Sequence, residues 1–222
     1  MNAKLIACRV LIDEIRRFMP SEVEVEVFEI SQHLRPKLLK IALQAAIDRA
    51  DGKFDVILLG YGLCSNSVVG LVAQRSRLVI PKIHDCIGIF LGSHRAYQEE
   101  MAREPAYFLT RGYISGYLEE QSGPLADFDR AAKRYGQARA EKLVGAMMAP
   151  YKRLVYIHTS EAADLEADRK YSQEMAARFH MRYEEVNGNS VLLERMMKGD
   201  WGNDFIVVEP GQELTLEHFM NP

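Results

Sequence analysis

The sequence predicts an α/β fold in which helices cover both faces of a mainly parallel sheet, a Rossmann-like layered architecture. Short apolar runs alternate along the chain with amphipathic segments, which is the pattern of successive strand–helix units. Some runs, such as VILLG at residues 56–60, are unbroken, as is usual for strands buried on both faces. A third feature, the strict alternation of EVEVEVFEI at residues 22–30, predicts an edge strand that turns its glutamates to water.

The predicted elements alternate from one end of the chain to the other. Strands are predicted at residues 4–8, 22–30, 54–62, 77–82, 106–110, 153–158, 181–186 and 204–211. Helices are predicted at residues 10–19, 36–50, 66–74, 92–104, 124–149, 162–179 and 190–199. Pro36 begins the second helix and Gly136 interrupts the long helical stretch, because proline suits a first helical position and glycine disfavours helix interiors.

This order divides the chain into three parts. Residues 1–122 form an N-terminal α/β lobe that carries the candidate site, residues 123–150 form connecting helices, and residues 151–222 form a smaller C-terminal α/β lobe. Three predicted strands give the last part too few elements for a comfortable core of its own. We therefore expect it to dock on the first sheet or to extend it, which leaves open whether the two lobes are one domain.

Composition and charge set the class of protein. The chain has 222 residues, 48% of them hydrophobic, and a formal net charge of −3, so no overall basic field favours nucleic acid as a partner. Apolar runs are far shorter than the roughly 20 residues of a membrane helix, and the N-terminus shows no secretion signal. Three cysteines cannot all pair with one another, so we expect a cytoplasmic protein with reduced thiols.

The three cysteines all fall where a predicted strand ends. Cys8 closes the first strand, Cys64 follows the strand at residues 54–62, and Cys86 follows the strand at residues 77–82. Ligands of open α/β sheets bind beyond the carboxyl ends of the strands, so these thiols are expected to converge. Cys64 and Cys86 also precede predicted helices, whose amide groups favour the thiolate.

The stretch IPKIHDCIGIFLGS adds His84 and Asp85 to this predicted site. Three thiolates and His84 would satisfy a tetrahedral zinc ion, whereas three thiolates alone would suit an iron–sulfur cluster with one open iron. His84 is the candidate proton shuttle and Asp85 its orienting partner. A metal-free alternative has Cys86 as a nucleophile activated by His84.

Further candidates follow predicted strands in the same way. Tyr61 is a candidate catalytic hydroxyl. Four of the six histidines (His33, His94, His180 and His218) are expected on the surface because their surroundings are polar. The candidate ligand-binding residues are Gly60, Gly62, Gly92, Ser93, Thr110 and Arg111. The glycines would allow close approach, and Arg111 would clamp a carboxylate or phosphate.

At KLIACRVL, LLGYGLCSN, IPKIHDCIGIFLGS and YFLTRGYI, the sequence resembles the prokaryotic family catalogued as domain of unknown function 1638. The residues that this resemblance places in the family's motifs are Cys8, Cys64, His84, Asp85, Cys86, Gly92 and Ser93. Lys82 stands where the family commonly has arginine. Members are found near genes of corrinoid-dependent methyl transfer, which implies a corrinoid protein or a methyltransferase as a partner.

Two functions are therefore expected. The first is a metal-binding protein, holding zinc or an iron–sulfur cluster, that acts on a small molecule in one-carbon or methyl-transfer metabolism. The second is a non-catalytic accessory or binding protein for a corrinoid methyltransferase system. The residues leave open whether the protein is an enzyme, which metal it holds and whether it binds a corrinoid.

Overall fold

The computed structural model describes residues 2–159 and 165–220. The strands in these residues are β1 (Ala3–Cys8), β2 (Glu24–Phe28), β3 (Val56–Gly60), β4 (Arg77–Pro81), β5 (Ala106–Thr110), β6 (Arg153–His158), β7 (Arg182–Asn187) and β8 (Phe205–Val208). The α-helices are α1 (Arg9–Ile15), α2 (Pro36–Ala50), α3 (Cys86–Leu91), α4 (His94–Met101), α5 (Arg111–Glu119), α6 (Gly123–Tyr135), α7 (Gln137–Ala140), α8 (Ala146–Met148), α9 (Leu165–Arg178), α10 (Val191–Lys198) and α11 (Glu217–Met220). A 3₁₀ helix (Ile30–Leu34) precedes α2, and a π-helical turn (Glu141–Gly145) joins α7 to α8. This alternation confirms the predicted α/β class.

The chain divides into two compact units. The first contains residues 2–96 and 190–220 and is built on a five-stranded sheet in the order β2-β1-β3-β4-β8. Strands β1 to β4 run parallel, so their carboxyl ends lie at one edge, and β8 is antiparallel. Every residue of β1 and β3 is buried, and β2 lies at the edge of the sheet as predicted.

The second unit contains residues 97–189 and has a separate parallel sheet in the order β5-β6-β7. Its core packs apolar side chains of the sheet against α5, α6 and α9, among them Leu109, Phe128, Leu154 and Met175. Strand β5, which the sequence analysis assigned to the N-terminal lobe, pairs here with β6. Apolar alternation identifies a strand but not the strand beside which it will lie.

Of the predicted helices, one is absent from the structure and another begins at residues that the structure does not describe. The helix predicted at residues 66–74 is absent: residues 64–70 form successive turns, and Cys64, Ser65 and Asn66 have φ angles of 44°, 56° and 63°. These left-handed angles are incompatible with a right-handed helix. The predicted start of α9 at residue 162 lies outside the described residues.

No described helix is long and apolar enough to cross a membrane.

Candidate functional site

The three thiols of the first unit meet at the carboxyl-end edge of its sheet. Cys8 is the last residue of β1, Cys64 lies in the loop after β3, and Cys86 is the first residue of α3. All three side chains are buried and none forms a disulfide. Cys86 is the largest single influence on the pKa of Cys8 and on that of Cys64 and lowers both, so the three thiols form one cluster.

Backbone contacts hold the loops of Cys64 and Cys86 side by side. The Leu63 amide donates to the Ile83 carbonyl at 2.9 Å, and the Cys64 amide donates to the His84 carbonyl at 2.9 Å. Gly62 permits this approach, because a Cβ at that position would lie 2.7 Å from the Ile83 carbonyl oxygen. The candidate Gly62 therefore brings together two backbone segments of the site.

The backbone at Cys64 is held in an uncommon conformation. Cys64, Ser65 and Asn66 are consecutive left-handed residues, and the Ser67 amide closes this turn on the Cys64 carbonyl at 3.2 Å. Each non-glycine residue of this kind costs about 1–2 kcal/mol. Such strain persists where the surrounding structure enforces it and concentrates at functional sites. The turn places Cys64, without a following helix, next to the other thiols.

His84 and Asp85 have structural contacts of their own. The Asp85 carboxylate caps α3, because its Oδ1 accepts from the amides of Ile87 at 2.9 Å and Gly88 at 3.3 Å. Half-buried His84 has its ring centroid 5.3 Å from that of His94. The cap fixes the beginning of α3 and thereby the position of Cys86.

His33 is the residue that the sequence analysis missed. It was predicted on the surface, but it is half-buried, its Nδ1 is sealed from solvent, and it is hydrogen-bonded to Cys64. Its ring stacks on Tyr61 with centroids 5.9 Å apart. His33 follows the end of β2, next to β1 in the sheet, so the strand-end rule that identified the cysteines also applied to it.

Hydrogen bonds and charge set the protonation of the cluster. The hydrogen bond from Cys86 and the interactions with His33 outweigh burial and lower the pKa of Cys64 to about 6. Burial lowers the pKa of His33, but its hydrogen bond to Cys64 and the charges of Cys8 and Cys64 together raise it to about 9. The hydrogen bonds to Cys64 and Cys8, with burial, raise the pKa of Cys86. These shifts favour the thiolate form of Cys64 beside the His33 imidazolium and the protonated form of Cys86.

Tyr61 places an unsatisfied hydroxyl beside the thiols. Its side chain is fully buried, and its hydroxyl has no hydrogen-bond partner among the described residues. Burial, followed by the charges of the three thiols, raises the pKa of Tyr61 well above its usual value, so the hydroxyl keeps its proton. The other two such atoms in the described chain are His33 Nδ1 and Ser67 Oγ.

The remaining candidates have identifiable local roles. Gly60 packs against Ala7, where a Cβ would lie 2.7 Å from the Ala7 Cβ. Gly92 ends α3 with a φ of 79°, and Ser93 Oγ accepts from the Ala96 amide at 3.1 Å. The candidates of the second unit are Thr110, which caps α5, and Arg111, which lies 3.4 Å from Asp168.

The three thiols do not form a metal site as they lie. Among residues 2–159 and 165–220, no group of three or more histidine, cysteine, aspartate or glutamate residues could hold a metal ion. What the thiols share is their mutual effect on protonation, since Cys86 lowers the pKa values of Cys8 and Cys64 and they raise its own.

The fold and this cluster define an α/β protein with a buried three-thiol site at the edge of a mainly parallel sheet. The chain belongs to the family described as "Protein of unknown function (DUF1638)", whose model matches residues 27–197. His33, Tyr61, Cys64 and Cys86 lie within the matched segment, and Cys8 precedes it. No curated protein and no solved structure matches the chain.

Proposed function

We propose that the protein binds a soft metal ion, with zinc first and an iron–sulfur cluster second, through the thiolates of Cys8, Cys64 and Cys86. The observation that carries the proposal is the burial of three free thiols that come from three separate strand ends and shift one another's pKa values. Sulfur is the preferred donor for zinc and for iron–sulfur clusters. Thiols bind these metals only after they have lost their protons. The metal would therefore replace the proton of Cys86.

Donor type and charge support zinc as the first choice. Thiolate sulfur is a preferred ligand of zinc in structural sites. Three thiolates, a divalent ion and the imidazolium of His33 sum to zero charge. A neutral group of this kind avoids the large cost of an unpaired buried charge. His33 would then balance the charge of the site, and His84 is not needed as the fourth ligand.

The proposed activity concerns a small molecule in the cytoplasm. Reduced thiols persist in that compartment, and a metal with three protein ligands keeps a position for a substrate or water. We propose one-carbon metabolism as the setting of this activity, on the expectation that the family is encoded near genes of corrinoid-dependent methyl transfer. An accessory role beside a corrinoid methyltransferase stays a prediction.

The metal content of the purified protein tests the proposal. We expect protein purified without oxygen, and with zinc and iron in the growth medium, to contain about one equivalent of metal in the zinc case. Cys86→Ser should lose it, because the central sulfur is removed. His33→Gln should retain less metal, because it removes the charge that balances the site. His218→Gln is its matched control, since His218 is exposed and bonded only to Thr215 among the described residues. Folded wild-type protein that takes up neither zinc nor iron would contradict the proposal.

A metal-free thiol–imidazolium pair is the second candidate. The hydrogen bond between His33 and Cys64 favours it, because such a pair activates a cysteine nucleophile. Iodoacetamide labelling of metal-free protein, located by peptide mapping, tests this role. Cys64 should react faster in the wild type than in His33→Gln and faster than Cys86. Equal rates in the two proteins would reject the pair.

A further inference from the structure

A cavity of about 400 Å³ lies within the second unit, and no residue of the thiol cluster lines it. Part of its lining is apolar: Phe128 and Phe179 are buried side chains whose ring centroids lie 6.0 Å apart in an edge-to-face arrangement. Gly145 and Ala149 add small residues to the lining. Small-molecule sites usually have volumes of about 300–1,000 Å³. The cavity is therefore large enough for a small organic molecule with an apolar body.

Charged side chains from separate segments complete the lining of this cavity. Arg178 is the last residue of α9, Lys152 directly precedes β6, and Glu141 begins the π-helical turn. In the described part of the chain, neither cation is paired with a carboxylate. The Arg178 guanidinium lies 4.8 Å from the centroid of the Phe128 ring, and Lys152 Nζ donates to the Ala149 carbonyl at 3.2 Å. Both cations are therefore available to an anion that enters the cavity.

Two uncommon backbone conformations occur at the same cavity. Glu141 and Gly145, the two ends of the π-helical turn, both line it. Such turns are rare in proteins and are frequent at functional sites. His180 also lines the cavity and has a φ of 56°, at a position after a helix where glycine is the usual residue. The histidine adds a polar ring to the lining at the cost of a strained backbone.

We propose that this cavity binds a small aromatic carboxylate. The ring of the ligand packs against Phe128 and Phe179, because aromatic rings favour edge-to-face and offset contacts with one another. The carboxylate binds Arg178, whose guanidinium can donate two parallel hydrogen bonds to it, and Lys152 adds a further donor. The two cations and one carboxylate of the lining leave one net positive charge with the histidine counted as neutral, which suits a monoanion better than a phosphate dianion. This inference requires no metal and is independent of the proposed function.

A ligand titration of the full chain, labelled with nitrogen-15 and followed by NMR, tests the site. The probes are 2-naphthoate and its neutral analogue 2-naphthamide, which has the same ring and nearly the same shape. We expect 2-naphthoate to move the backbone amide signals of Gly145, Lys152 and His180, which line the cavity. The neutral analogue should bind at least about tenfold more weakly, because it cannot form charge-assisted hydrogen bonds with the two cations.

A pair of arginine variants tests the assigned contact. Arg178→Gln should weaken the binding of 2-naphthoate at least about tenfold, because it removes the planar cation. Arg134→Gln is the matched control and should leave the affinity unchanged. Arg134 is also an exposed arginine of the second unit, 5.1 Å from the centroid of the Tyr135 ring, but it does not line the cavity.

Four outcomes would overturn the inference. They are no movement of any signal up to about 10 mM 2-naphthoate, movement only at residues outside the cavity, equal affinity for the two probes, and unchanged affinity in Arg178→Gln. The comparison of the two probes uses the wild-type protein alone, so it decides the matter even if a variant fails to fold.

Discussion

The two units differ in whether their buried polar side chains have hydrogen-bond partners. In the second unit, the fully buried guanidinium of Arg153 bonds to the carboxylates of Glu100 and Glu184 and to the Glu104 carbonyl. In the first unit lie all three buried side-chain atoms that lack partners in the described chain. A satisfied network rigidifies a fold, whereas an unsatisfied group marks a place that a ligand can complete. The Arg153 network is therefore structural, and the unsatisfied groups agree with the ligand-binding role that we propose for the thiol cluster.

Among these predictions, the removal of Arg153 should cause the largest loss in the free energy of unfolding. Arg153→Met removes the fully buried cation and leaves Glu100 and Glu184 with the more exposed Arg103 as their shared partner, and breaking such a buried pair costs about 3–5 kcal/mol. Chemical denaturation monitored by circular dichroism measures the loss. Arg182→Met is the matched control: Arg182 also pairs with Glu184, but its side chain is 56% exposed, so we expect a loss below about 1 kcal/mol.

The same network predicts a dependence on pH. Burial alone would raise the pKa of Glu184, but hydrogen bonds from Arg182 and Arg153 outweigh it and lower the pKa. A lowered pKa gives stability that is complete above the unfolded value of about 4.3 and is lost as pH falls through the folded value. The difference between wild type and Arg153→Met should therefore shrink in acid. A difference that stays constant from neutral pH to pH 3 would contradict the ionic account.

Gly62→Ala tests whether the thiol site depends on close approach of two loops. The new Cβ would lie 2.7 Å from the Ile83 carbonyl oxygen and 2.9 Å from the Asp85 backbone, so the loops must separate, at about 1–3 kcal/mol. Gly145→Ala is the control, because nothing lies within 4 Å of its Cβ position and its backbone is helical. That change should stabilise the protein slightly. Equal effects of the two substitutions would show that the loop contact is unimportant.

A pair of tyrosine substitutions sharpens the comparison between the units. Tyr156 donates to Asp168 at 3.0 Å, so Tyr156→Phe should lower the free energy of unfolding by about 1–2 kcal/mol. Tyr61 has no partner to lose, so Tyr61→Phe in metal-free protein should be neutral or stabilising. Parallel denaturant titrations measure both. A larger loss at Tyr61 than at Tyr156 would mean that its hydroxyl is already satisfied without a ligand.

Ser65→Gly should have the smallest effect. Ser65 is exposed and has a φ of 56°, an angle that glycine adopts without strain, so the variant should gain up to about 1 kcal/mol of stability. Ser31→Gly, at an exposed serine outside the positive-φ region, should lose stability instead. Thermal unfolding of the two variants checks the signs. A loss at Ser65 would show that its side chain makes a stabilising contact.

Sequence patterns predicted what depends on local periodicity. The buried runs of β1, β3 and β4, the edge position of β2 and the break at Gly136 all follow from side-chain spacing and backbone propensity. The same side-chain spacing shows that each cysteine follows a strand. The parallel sheet then brings the three thiols together.

The failures involve interactions between distant residues. The helix predicted at residues 66–74 fails because hydrogen bonds and packing around Cys64 hold three left-handed residues that propensity disfavours. β5 pairs with β6 and β8 pairs with β4, choices that no local pattern specifies. His33 escaped notice because its neighbours in sequence are polar, while its neighbour in space, Cys64, lies on another loop.

The sheet of the first unit can be completed only after its antiparallel strand β8 has been synthesised. Leu78 of β4 pairs with Val208 of β8, so this sheet keeps an open edge until the ribosome has made the last strand. The second unit is continuous in sequence and can close its sheet earlier. An open strand edge is the place where nascent chains associate with one another. Until β8 emerges, β4 is therefore one further edge along which newly made molecules can associate.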